Sequence, residues 1–248
     1  MTLSSEKLVA LLDVTRLVDN DDPQQFAQWL ELSSAKAYQP AAYCVYPQYL
    51  QQTAAYLAAA GMTAQLATVV NFPTGAEPLA QVLQQIEQAL SAGASEIDAV
   101  LPYRNLMAGD EVSVRTFMQA VRQACGDRCL KIIIESGELA TPDLIKLATD
   151  IAIDGGADFV KTSTGKVAVG VTLEAARLIL GQIRQANRPV GFKASGGVRD
   201  KAFAMQLTGL FNDMLNKTPA ADAMRIGASA LYLELLQEMT AGAAHLQC

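Results

Sequence analysis

Apolar residues along this chain gather in short continuous runs, and helical periodicity fills the stretches between them. One closing pattern recurs: small residues, a glycine, a short link, then an apolar or β-branched run. It stands at Ala58-Ala59-Ala60-Gly61 before Leu66-Ala67-Thr68-Val69-Val70. It returns at Ala92-Gly93-Ala94 before Glu96-Ile97-Asp98-Ala99-Val100, and at Gly155-Gly156-Ala157 before Phe159-Val160-Lys161. Glycine one step past a helix supplies its left-handed cap. Continuous apolar runs, as opposed to alternating ones, read as strands covered on both faces, as in parallel sheets. Eight such strands are predicted, centred on residues 11–14, 43–45, 66–70, 97–100, 131–134, 159–161, 190–193 and 224–226. Helices are predicted between them, among others over 48–60, 79–92, 113–124, 142–154, 173–186 and 229–239. Thr141-Pro142 and Thr172 read as helix starts, with Pro142 at the first helical position.

Repeated strand–helix units imply right-handed crossovers and an α/β fold. Eight of them in 248 residues match a TIM (β/α)8 barrel. A doubly wound open sheet is the alternative, but no Gly-x-Gly-x-x-Gly turn supports it. No Pro/Ser-rich linker interrupts the pattern, so a single domain over 1–248 is expected, with a short flexible tail from about residue 241.

Composition narrows the function. The 19 Lys and Arg are scattered and the net charge is -6, whereas a phosphate backbone needs a basic stripe; nucleic acid is excluded as a partner. A small anionic substrate stays open, because a pocket can be basic on an acidic protein. No apolar run is long enough for a membrane span, and the N-terminus lacks the basic-then-apolar order of a signal peptide, so a cytoplasmic protein is expected. Four cysteines occur: Cys44, Cys125, Cys129 and Cys248. Cys125 and Cys129 have the spacing of a metal clip but no second Cys/His pair, and reduced thiols are the expectation. His245 is the only histidine, which argues against Ser-His-Asp, Cys-His and His-metal catalysis.

The chemistry sits at strand ends, which in a TIM barrel face the active site. Asp13, Asp98, Glu135, Lys161 and Lys193 each end an apolar run. An isolated lysine there is ordinarily an exposed terminus or a snorkelling chain. Lys161 and Lys193, however, are each followed by small residues and glycine: Thr162-Ser163-Thr164-Gly165-Lys166 and Ala194-Ser195-Gly196-Gly197. Burying an ammonium costs free energy, and losing the proton relieves that cost and leaves an amine nucleophile. Asp98, in a run too apolar for a casual carboxylate, is the natural partner holding Lys193 charged. A charged Lys193 then lowers the pKa of Lys161. Lys166 is no P-loop lysine, since Val160 stands five before Gly165 and Val167 follows. Gly196-Gly197-Val198-Arg199 after strand seven and Gly227-Ala228-Ser229 after strand eight are placed for phosphate; plain turns are the bland alternative.

These residues together resemble the deoxyribose-phosphate aldolases. The likeness rests on Glu96 to Val100 with Pro102-Tyr103, on Lys131-Ile132-Ile133-Ile134-Glu135-Ser136-Gly137-Glu138-Leu139, on Gly156 to Lys166, on Gly191 to Arg199, and on Arg225-Ile226-Gly227-Ala228-Ser229. It extends from about Leu11 to Leu233. It implies a metal-free class I aldolase on a TIM barrel, with no cofactor. The implied reaction is reversible cleavage of 2-deoxy-D-ribose 5-phosphate to D-glyceraldehyde 3-phosphate and acetaldehyde, in deoxyribose catabolism. Lys161 matches the family's Schiff-base lysine, Lys193 its second lysine, and Asp98 the partner in proton transfer. Gly165, Lys166, Gly196, Gly197, Arg199, Gly227 and Ser229 fall on the phosphate loops, and Asp13 and Cys44 at the active-site mouth. A homodimer is implied as well. The chain departs from some members by ending Ala243-Ala244-His245-Leu246-Gln247-Cys248, without a terminal tyrosine to assist proton exchange. Another Schiff-base barrel with a ketone donor, and a catalytically silent phosphate-binding barrel, are the rival readings.

Overall fold

A computed structural model of the chain describes residues 3–139 and 141–245, with side chains to residue 240. Eight parallel strands close into a barrel in chain order: β1 (Leu12–Arg16), β2 (Ala42–Val45), β3 (Gln65–Val70), β4 (Glu96–Val100), β5 (Cys129–Ile133), β6 (Phe159–Lys161), β7 (Gly191–Ser195) and β8 (Met224–Ala228). The helices are α1 (Ser5–Val9), α2 (Pro23–Leu32), α3 (Leu50–Ala59), α4 (Leu79–Ser91), α5 (Tyr103–Met107), α6 (Glu111–Cys125), α7 (Pro142–Asp154), α8 (Leu173–Gln185), α9 (Lys201–Leu215) and α10 (Ala230–His245). This is the TIM barrel the pattern predicts.

Local chemistry starts the helices where expected. The Thr141 hydroxyl accepts from the Leu144 N–H at 3.3 Å ahead of Pro142, and the Thr172 hydroxyl accepts from the Ala175 N–H at 3.0 Å. Each satisfies one of the donors that a helix start leaves free. In α4, Val82, Ile86 and Ala89 form the buried stripe, at the spacing of one helix face.

Several boundaries differ. The helix expected over 48–60 opens as a 3-10 turn, Pro47–Tyr49, with no side-chain cap. β7 and β8 run two residues further than expected, because barrel closure gives them partners on both sides: Ser195 pairs with Gly227, and Ala228 with Val14. Gly227 and Ala228 therefore belong to a strand and not to the loop after it. β5 stops at Ile133, and Glu135 turns the chain away with φ +53°. The tail expected from about residue 241 starts inside α10, which runs to His245; residues 246–248 lie outside the described residues.

Strand alternation sorts the side chains. Leu12, Val14, Ile97, Leu130, Ile132, Val160, Phe192 and Ile226 pack outward into the main core beneath the helices. Their neighbours point into the barrel, where the halves differ. On β2 and β3 the interior is small and apolar: Ala42, Cys44, Ala67 and Val69 form a cluster of their own, met by Leu17, Tyr46 and Phe72. The remaining strands bring charge inward. Register places Asp98 beside Lys131, Lys161 beside Lys193, and Lys193 beside Arg225.

Candidate active site

Seven charged side chains meet inside the barrel, none more than 6% exposed. Lys161 Nζ donates to Asp98 Oδ2 at 2.7 Å, and Lys193 Nζ donates to the same oxygen at 2.7 Å. Lys193 also donates to Asp13 Oδ2 at 2.5 Å. Lys131 Nζ donates to Asp98 Oδ1 at 3.0 Å, lies 3.3 Å from Asp13 Oδ2, and binds Glu96. Arg225 closes the network with bonds to Asp13 Oδ1 at 2.7 Å and Glu96 Oε1 at 3.0 Å. The Arg225 guanidinium stands 5.5 Å from the Phe159 ring centroid.

Desolvation disfavours every charge here, and the neighbours decide which survive. Burial works against the Asp98 carboxylate, but Lys131, Lys161 and Lys193 outweigh it and hold its pKa well below the ordinary value. Asp13 is likewise held low, by Lys131, Lys193 and Arg225 against burial. For Lys193, burial is outweighed by Asp13 and Asp98, so its pKa lies above the ordinary value. Lys131 is raised in the same way by Asp13, Asp98 and Glu96. Lys161 goes the other way. Its burial is offset only in part by Asp98, Lys193 repels it, and its pKa falls. The two lysines that look alike in sequence are thus opposite in character.

Of this group, Lys161 is the one that also lines the cavity at the C-terminal barrel mouth, about 370 Å3 in volume. Gly165, Lys166, Gly196, Gly197, Arg199, Gly227 and Ser229 line it too, so all the expected loop positions come together. Among the described residues, the N–H groups of Gly165, Gly196 and Gly197 have no internal acceptor. The loops after β6 and β7 are stitched by Thr162, which bonds to the backbone of Ser195, and by Ser195 Oγ, which donates to Ser163 O at 2.5 Å. Gly170 lies so close to Gly196 that a Cβ there would stand 2.0 Å from the Gly196 carbonyl oxygen. Arg199 is exposed beside the cavity. The Ser229 hydroxyl donates to Thr15 O at 2.7 Å.

Asp13 and Cys44 are fully buried in the barrel and do not themselves line the cavity, although their strand partners Gly227 and Thr15 do. Burial raises the Cys44 thiol pKa, and Asp98 adds to it, so the sulfur is a protonated, poor nucleophile. Lys166 reaches away from the lysine cluster. Its ammonium pairs with exposed Asp19 at 2.9 Å, and that carboxylate also accepts from the Tyr46 hydroxyl at 2.5 Å. Lys131, Glu96 and Arg225 were not anticipated as site residues. Only Glu96 carried a signal in the sequence, its two-residue spacing from Asp98 within an apolar strand; Lys131 and Arg225 emerge from strand register, Lys131 beside Asp98 and Arg225 beside Lys193. Glu135 is buried and accepts from the Thr164 N–H and hydroxyl, beside the cavity wall; burial raises its pKa. A larger hollow, about 530 Å3, is lined by Asp158, Pro189, Lys217 and Asp222, near the strand starts and away from the lysines. Convergent chemistry favours the smaller one.

The fold has counterparts among solved structures. Superposition on a candidate deoxyribose-phosphate aldolase of Coccidioides immitis gives a TM-score of 0.83 at 28% identity, over 96% of this chain and 87% of that one. The tetrameric deoxyribose phosphate aldolase of Aeropyrum pernix gives 0.78 at 25% identity, over 96% and 92%. A candidate deoxyribose-phosphate aldolase of Toxoplasma gondii, 24% identical over 94% of each chain, shares the fold with a TM-score of 0.85. The DeoC/LacD family aldolase profile matches residues 12–231, nearly the whole barrel, and the chain belongs to that family of aldolases.

Proposed function

We propose that this enzyme cleaves 2-deoxy-D-ribose 5-phosphate reversibly to D-glyceraldehyde 3-phosphate and acetaldehyde, through a Schiff base on Lys161. One observation carries the reading. Lys161 is the member of the buried network whose amine is pushed toward neutrality, and it is the member that lines the cavity. A neutral amine attacks the open-chain aldehyde carbon; loss of water leaves an iminium. Removal of the C3 hydroxyl proton lets the C2–C3 bond break, and its electron pair moves into the iminium to form an enamine. Glyceraldehyde 3-phosphate leaves. Protonation of the enamine at C2 and addition of water release acetaldehyde and restore the amine. Asp98 and charged Lys193, joined to Lys161 through one carboxylate oxygen, are the groups to move these protons, with water as the intermediary.

The phosphate belongs on the free N–H groups of Gly165, Gly196 and Gly197, with Lys166, Arg199, Gly227 and Ser229 around it. Held there, it orients the carbons that react. The substrate also implies a role in deoxyribose catabolism.

Borohydride reduction with deoxyribose 5-phosphate, followed by peptide mass mapping, tests the assignment. The adduct is expected on Lys161, and Lys161→Ala is expected to abolish turnover. An adduct on another lysine, or near-normal turnover of Lys161→Ala, overturns it. Acetaldehyde against dihydroxyacetone phosphate as donor separates this reaction from a ketone-donor aldolase.

A further inference from the structure

We infer that Glu96, Lys131 and Arg225 are positioning residues that set the charge state of Lys161 through the net charge of the buried network. The inference rests on Lys161 being the amine nucleophile. The network holds three carboxylates, Asp13, Glu96 and Asp98, and four bases, Lys131, Lys161, Lys193 and Arg225. Three cations balance three anions. A proton on the fourth base leaves an excess positive charge among seven side chains that are all almost fully buried, and uncompensated buried charge is the costly kind.

Geometry decides which base goes without. Lys193, Lys131 and Arg225 each touch two or more carboxylates, whereas Lys161 touches one. That one is shared: Lys193 sits on the same Asp98 oxygen, and Lys131 holds the other. Glu96 stands behind Lys131, and Arg225 ties Glu96 to Asp13 on the far side. None of these three reaches Lys161. They act through how much of Asp98's charge is left for it. Facing Lys161 from other elements are Lys193 on β7, the neutral Cys44 thiol on β2 and Glu135 in the loop after β5. Glu135 is bonded to Thr164 and is not joined to the network, so its influence stays constant when the network is altered.

Opposite substitutions must therefore have opposite effects. Lys131→Met removes a cation, so Lys161 keeps its proton to higher pH. Glu96→Gln removes an anion, so Lys161 loses its proton at lower pH. The double variant restores the count. The experiment follows the pH dependence of borohydride trapping of deoxyribose 5-phosphate on Lys161. The acid limb is expected to rise by about one pH unit in Lys131→Met, a roughly tenfold loss below the limb. It is expected to fall in Glu96→Gln and to return near the wild-type position in the double variant. Limbs that stay put, or a double variant displaced further than either single one, overturn the inference and leave three structural residues. Circular dichroism establishes that each variant is folded; if Lys131→Met is not, the downward shift in Glu96→Gln still decides the sign. Wild-type protein that gives no adduct at Lys161 refutes the underlying reading, whereas an adduct with unmoved limbs refutes this inference alone.

Discussion

Replacing Lys193 with methionine separates two roles that one residue combines. Lys161 and Lys193 each lie 2.7 Å from the same Asp98 oxygen, so their nitrogens cannot be further apart than twice that distance. Two unit charges ~5 Å apart at an effective dielectric of ~20 repel by about 3 kcal/mol, equivalent to about two pKa units. Methionine removes that repulsion at similar volume and leaves more of the Asp98 charge for Lys161. Both effects raise the Lys161 pKa. The acid limb of kcat/KM with deoxyribose 5-phosphate is expected to move up by one to two units, and the plateau to fall because a proton donor is gone. Removing one partner of a buried ion pair typically costs about 3–5 kcal/mol of stability. Here Asp13 keeps Arg225 and Lys131, and Asp98 keeps Lys131 and Lys161, so the low end is expected. A plateau that drops while the limb stays fixed would refute electrostatic control of Lys161 by Lys193 and leave Lys193 as a proton donor only.

Three further outcomes follow from the geometry. Gly170→Ala puts a methyl 2.0 Å from the Gly196 carbonyl oxygen and must push the two mouth loops apart; KM for the phosphorylated sugar is expected to rise by tenfold or more, against a smaller change for unphosphorylated 2-deoxyribose, and equal effects on both would disprove the phosphate role of these loops. Asp19→Asn frees Lys166 from a competing carboxylate 2.9 Å away; KM for deoxyribose 5-phosphate is expected to fall several-fold, and a rise would mean that Asp19 aims Lys166 at the phosphate. Calorimetry across pH reads the buried acids. Asp13 and Asp98 have pKa values below those of the unfolded chain, so they contribute stability that is complete above about pH 4 and is lost as pH falls through their lower folded values. Asp13→Asn is expected to flatten that acid loss and lower the midpoint at neutral pH, and an unchanged acid slope would count against it.

The barrel was legible because each strand announces itself twice: as an apolar run and by the glycine that ends the helix before it. Even β6, three residues long, was readable from Gly155-Gly156 upstream and Lys161 at its end. Strand ends were less legible, because pairing across the ring sets them. Gly227 looks like loop sequence, yet it is held in β8 by Ser195 on one side and Asp13 on the other. The 3-10 turn at Pro47–Tyr49 was hidden in a helical pattern, since periodicity does not distinguish its first turn from an α-helix.

The site divides along the same line. Lys161 and Lys193 stood out because each closes an apolar run and precedes small residues, a local signature. Lys131 has no such signature. It sits in mid-strand, before Ile132-Ile133-Ile134, and reads as an ordinary strand lysine until the acids of β4 and β1 are brought to it. The Lys166–Asp19 pair is hidden for the same reason, since 147 residues separate its members. What no single strand reveals is the count. Lys161 is pushed toward neutrality because it is buried and shares its one carboxylate with Lys193, while Lys131 and Arg225 take up the others. On the proposed mechanism, nucleophilicity is a property of the closed ring: the same lysine, with one more acid or one fewer base around it, is expected to be a salt bridge.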